Sequence, residues 1–88
     1  MSRDITPLIH ALHEVREEVL RAQDIHPQPF HSLHEAYGII QEEFTEFQQQ
    51  VFMRKDRRCA RNISDELTQI AAMAIRAKIE LAARRKLF

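Results

Sequence analysis

A single glycine, Gly38, and three prolines, Pro7, Pro27 and Pro29, punctuate 88 residues. So few turn formers leave little room for hairpins, and they predict an all-α chain of about three long helices. Pro7 suits a first helical position, where its missing N–H costs nothing, with Thr6 before it as the predicted cap. Helix one is therefore expected over residues 7–24, its stripe running through Leu8, Leu12, Val15, Val19 and Ala22. The segment His26-Pro27-Gln28-Pro29-Phe30 is the clearest loop. Ser32-Leu33-His34-Glu35 then reads as a capping box, since serine and glutamate three apart can satisfy each other's orphan N–H groups.

Helix two is expected to run to about residue 53, with Leu33, Ala36, Tyr37, Ile40, Phe44, Phe47 and Val51 as its apolar positions. A basic hinge, Arg54 to Arg61, precedes helix three, which Asn62 or Ser64 is expected to cap and which should end near Arg85. Its stripe is Ile63, Leu67, Ile70, Ala74, Ala77 and Leu81, yet Ala71, Ala72, Ile75 and Ile79 cover much of the other side. A helix apolar nearly all round is buried on more than one face. Three helices cannot do that, so a second subunit is expected. No internal repeat or domain boundary interrupts the chain, which is expected to form one domain over residues 1–88.

Chain length sharpens the need for a partner. A domain this small buries only about 60 % of its unfolded surface, and one cysteine, Cys59, excludes an intramolecular disulfide. Thirteen basic residues balance thirteen acidic ones, which argues against polyanion binding by bulk attraction. The basic residues nevertheless gather at Arg54, Lys55, Arg57, Arg58 and Arg61 and again at Arg84, Arg85 and Lys86. No aromatic residues interleave the first cluster, so nucleic acid is not the expected partner. No apolar run approaches a membrane span, and the opening Met-Ser-Arg-Asp has no signal-peptide core, so a reducing, cytoplasmic setting is expected.

The chemistry concentrates in carboxylates. Glu43 falls beside the apolar stripe of helix two, and Glu46 follows one turn on, so the two can converge on one object. Glu66 and Gln69 repeat that geometry on helix three. If the stripes pack together, three carboxylates and an amide meet at the seam. Crowded carboxylates repel one another and resist desolvation, which a cation offsets. Oxygen ligands without cysteine suit a hard ion, Mg²⁺ or alternatively Mn²⁺. Such an ion lowers the pKa of an attacking water and neutralises phosphoryl charge, which is chemistry for a nucleoside triphosphate. The rival for Glu42, Glu43 and Glu46 is a solvated acidic face paired to Lys55 or Arg58. The histidine pairs His10/His13 and His31/His34 have a spacing that can share zinc, but His31 precedes the Ser32 cap, and surface imidazoles are the simpler reading. Arg76, two turns beyond Gln69, is expected to meet a substrate phosphate, and His34, with Phe30 or His31, a nucleotide base.

Glu42-Glu43-x-x-Glu46, then Glu66-x-x-Gln69 followed by Ile-Ala-Ala-Met-Ala-Ile-Arg-Ala, resembles the MazG-like all-α NTP pyrophosphohydrolase superfamily over roughly His31 to Leu81. The resemblance implies a helical dimer or tetramer that cleaves nucleoside triphosphates to monophosphate and pyrophosphate with Mg²⁺. It aligns Glu43 and Glu46 with the ligands of an EExxE motif, Glu66 with the next ligand, and Gln69 with an aspartate. Gln69 departs from that pattern, because an amide oxygen can ligate but brings no charge. The alternative is a catalytically silent helical module that binds nucleotide or a protein partner.

Overall fold

The computed structural model describes residues 3–85. Three α-helices carry the chain, α1 (Thr6–Ile25), α2 (Leu33–Val51) and α3 (Ala60–Ala83), with a short 3-10 turn (Lys55–Arg57) between the last two. No strand occurs among the described residues, so the all-α expectation holds. Met1, Ser2 and Lys86 lie outside the described residues.

The helix ends differ from expectation in informative ways. Thr6 does not cap α1; it is the first helical residue, and its N–H donates to Asp4 Oδ1 at 3.0 Å. A carboxylate two residues upstream thus satisfies the donor, with Pro7 seated in the first turn. Ser32 does cap α2, its Oγ accepting from Glu35 N at 3.1 Å. The returning bond goes to His31 rather than Ser32, with His31 N donating to Glu35 Oε1 at 3.3 Å. Ser32→Ala should lower unfolding free energy by about 1 kcal/mol in denaturant melts, the usual cost of a lost N-cap. Neither Asn62 nor Ser64 caps α3, which begins earlier, with Cys59 at the cap and no side-chain bond. Arg58 closes the end of α2 instead, donating from Nε to Met53 O at 3.1 Å and from Nη2 to Val51 O at 2.6 Å. Part of the basic hinge is therefore committed to satisfying carbonyls that α2 leaves open.

Helix α3 is the centre of the architecture, since α1 and α2 each pack on it and not on each other. The buried apolar residues are Val19 and Ala22 of α1, Phe30 of the loop, Ala36 of α2, and Ala72 and Met73 of α3. Half of them are alanines, which let helix backbones approach closely but bury little area. Most larger side chains of the expected stripes stay outside. Leu8, Leu12, Leu33, Tyr37, Phe44, Leu67 and Leu81 are all exposed. The predicted α3 stripe is thus not the deepest face of the single chain. Ala72, Met73 and Arg76 are, because α1 and α2 cover only one side of a helix that is apolar on both.

The consequence is an open molecule. The radius of gyration is 15.1 Å, against about 12 Å for a compact domain of this length. The accessible surface is 7203 Å², where a compact monomer of this size exposes about 5,400 Å². No helix is long and apolar enough to cross a membrane among the described residues.

Candidate metal centre and cleft

Along α3, the residues Glu66, Gln69, Met73, Arg76, Glu80 and Arg84 recur at three, four, three, four and four, which places them on one face. That face is the floor between α1 and α2, and its two ends differ in chemistry.

At the N-terminal end, Glu66 meets Glu43 and Glu46 of α2. One carboxylate oxygen from each lies within 4.8 Å of the others, and this is the only group of three potential metal-ligating side chains of the acid, histidine or cysteine type among the described residues. Glu43 and Glu66 are half-buried and Glu46 is exposed. Glu43 Oε2 and Glu66 Oε2 are both buried without a hydrogen-bond partner, as is Gln50 Oε1, one turn beyond Glu46. Orphaned acceptors in a buried setting cost free energy that a bound cation would recover. Desolvation pushes the Glu43 carboxyl up to about 7, and the charges of Glu46 and Glu66 add to the shift. Glu66 moves the same way, through burial first and then through Glu46. The donor set is all oxygen and anionic, and so fits a hard divalent cation. No arginine or lysine pairs with any of the three acids among the described residues, so the expected rival pairing to Lys55 or Arg58 is not formed.

Gln69 lies one turn on from Glu66 and, with Glu43, lines a cleft of about 550 Å³ between the helices. Its amide also influences α1: the Glu18 carboxyl is held below its ordinary value by Arg21 first, with Gln69 adding to the effect against desolvation. Arg21 grips Glu18 through two bonds, at 2.9 and 2.6 Å. Glu18 is thus a cleft residue that the sequence reading did not single out. Its signal was faint, an acid beside Val19 on a stripe whose other neighbours are charged.

At the far end, the loop folds over α3. Phe30 is buried, its N–H donating to Glu80 Oε1 at 2.6 Å and its carbonyl accepting from Arg84 Nη1 at 2.6 Å. Arg84 also bonds Glu80 at 3.1 Å, closing the clamp. Arg76 is 6 % exposed, with Nη2 donating to His26 O at 3.2 Å and its guanidinium carbon 4.9 Å from the Phe30 ring centroid. Glu80 and Arg84 anchor the loop, and their register with Glu66, Gln69, Met73 and Arg76 is the one signal of this in the sequence. His34 is exposed and does not line the cleft, whereas His31 does. His13 lies 3.9 Å from Glu17 rather than in any three-ligand group.

No family model, curated protein or solved structure matches this chain.

Proposed function

We propose that the chain is a divalent-cation-dependent nucleoside triphosphate pyrophosphohydrolase of the MazG-like kind, completed by self-association. The observation that carries this reading is the convergence of Glu43, Glu46 and Glu66, with two orphaned buried carboxylate oxygens among them, beside a ligand-sized cleft that Glu43 lines. Glu43, Glu46 and Glu66 would hold Mg²⁺ or Mn²⁺, with Gln69 as a neutral oxygen donor from the next turn. When bound, the ion supplies a positive charge for the phosphoryl oxygens and a lowered pKa for the attacking water. The water adds to phosphorus, the bond between the α and β phosphates breaks, and monophosphate and pyrophosphate leave. The carboxylates of the chain fix the site's position, and the walls of the cleft hold the rest of the nucleotide.

Self-association is supported by the surplus surface. The excess over a compact monomer is about 1,800 Å² per chain, or about 3,600 Å² for a pair, within the range of total area that obligate interfaces bury. Leu33, Tyr37, Phe44 and Val51 on α2 recur in heptad register and are each at least 40 % exposed, as a helix-to-helix seam requires. A dimer or a tetramer would cover them.

The test is pyrophosphate release from a panel of common and modified nucleoside triphosphates with Mg²⁺ or Mn²⁺. Release no greater than that of a Glu43→Gln, Glu66→Gln double variant would defeat the hydrolase reading. One observation favours the silent-module alternative: Gln69 adds no charge to the triad and interacts with Glu18. Gln69→Asp separates the two readings. In an active parent it should tighten Mg²⁺ binding by about tenfold, the order expected of a retuned ligand shell, with a modest change in turnover. Activity appearing only in Gln69→Asp would identify the parent as the silent form.

A further inference from the structure

Resting on that reading of the metal centre, we propose that Arg21 is a phosphate-binding residue, whose free N–H groups take oxygens of the substrate's triphosphate that the cation does not. Glu18, Arg21, Ala22 and Ile25 recur at three, one and three along α1, which sets them on one side of the helix. All four line the cleft, together with Glu43 of α2 and Gln69 of α3. Two arginines line it, Arg21 and Arg76. Arg76 is 6 % exposed and held by the His26 carbonyl and the Phe30 ring. The Arg21 side chain is 57 % exposed. Arg21 is therefore the cation that the cleft presents to a ligand, and the phosphate contact that the sequence suggests for Arg76 passes to it.

The guanidinium is held in place before any ligand arrives. Its Nε and Nη2 donate to the two oxygens of Glu18, at 2.9 and 2.6 Å, and the Glu18 side chain is only 13 % exposed. Two of the five N–H groups of Arg21 are so engaged, and the other three bond no described residue. A two-point grip fixes the plane of the fork, so little freedom is lost when its open N–H groups meet a planar or tetrahedral oxyanion. Charge balance calls for such a group. Glu43, Glu46 and Glu66 must ionise to hold a cation, and three carboxylates outweigh one divalent ion. The metal end alone therefore leaves a triphosphate facing net negative charge, which a cation on the wall from α1 offsets. Gln28 and His31 add N–H donors to the same cleft, so a phosphate chain entering it meets partners that replace its water.

The experiment titrates inorganic tripolyphosphate into the full chain by calorimetry, with Mg²⁺ in excess and at fixed ionic strength. Arg21→Gln should weaken binding by about tenfold or more, the low end for a hydrogen bond to a charged group. Its Mg²⁺ affinity, measured without phosphate, should stay within about twofold of the parent, since Arg21 touches none of the three acids. Arg21→Lys keeps the charge without the fork and should bind more tightly than Arg21→Gln. Arg16→Gln is the matched control: Arg16 is an exposed arginine of the same helix, paired to Glu17 at 2.8 Å, and it lines a different groove. It should leave tripolyphosphate binding unchanged. Helical circular dichroism reports whether each variant is folded. No tripolyphosphate binding by the parent would overturn the assignment, as would undiminished binding by a folded Arg21→Gln. An equal loss in Arg16→Gln would do so too, because bulk charge would then explain both. Binding that depends on Arg21 without pyrophosphate release from any nucleotide would sink the hydrolase reading alone. Release with an unchanged KM in Arg21→Gln would sink only this one.

Discussion

Glu43→Gln should make the metal-free protein more stable at pH 8 while removing cation-supported pyrophosphate release. A ligand position is distinguished from a packing position by that opposition. Burial and the neighbouring charges of Glu46 and Glu66 raise the Glu43 carboxyl to about 7, so at pH 8 the metal-free fold holds a charge that its surroundings disfavour. The amide keeps the shape and drops the charge, and the thermal midpoint of the chelated protein should rise by several degrees. Activity should move the other way, falling by at least about a hundredfold, because the lost contact acts on an ion worth several kcal/mol to the transition state. A midpoint that falls at pH 8 would place Glu43 in ordinary packing. Release unaffected by the substitution would remove it from the metal centre.

Raising the pH should destabilise the metal-free protein, and a divalent cation should reverse the effect. Glu43 binds its proton more tightly folded than unfolded, so its contribution is fully present below the ordinary carboxylate value of 4.5 and is lost as pH climbs through about 7. Glu66 shifts in the same direction and adds to the slope. Glu18 runs opposite: Arg21 lowers its carboxyl, so its stabilisation is present above the ordinary value and disappears only in acid, outside this window. Melts in EDTA should therefore show a falling midpoint between about pH 5 and pH 7.5. At pH 8, Mg²⁺ or Mn²⁺ at a hundred times its dissociation constant adds about 2.7 kcal/mol. For a domain of this size that corresponds to a rise of about 10 °C or more. The cation effect should shrink at pH 5, where protons compete for the same oxygens. A midpoint indifferent to both pH and cation would leave the three carboxylates a solvated cluster.

Much of this molecule was legible in one dimension. Pro7 and the Pro27/Pro29 pair mark the start of α1 and the break before α2, and the scarcity of glycine and proline elsewhere favours long helices. The break between α2 and α3 holds neither residue and is legible only as the basic run Arg54 to Arg61. Ser32 was readable as a cap because the bond it makes spans three residues of local chain. Glu43, Glu46 and Glu66 were readable as a group because helical periodicity sets each beside an apolar stripe, and two helices that pack by those stripes bring their margins together. A local rule sufficed at each of these places.

Other features needed the third dimension. Leu8, Leu12, Phe44 and Leu81 satisfy the periodicity of a core and yet are exposed, since periodicity says that a face wants cover and not which chain supplies it. The clamp of Glu80 and Arg84 on Phe30 joins residues 50 and 54 positions apart, and no spacing rule reaches that far. Arg76 is a charged side chain that composition would leave in water, and only the fold of the Pro27–Phe30 loop buries it and stacks it on an aromatic ring. The sequence by itself determined the helices, their ends to within a turn, and which acids share a seam, because those depend on interactions between near neighbours in the chain. Tertiary structure decided which face of α3 is innermost, where the cleft opens and what charge closes it, because those depend on contacts whose partners lie tens of residues apart.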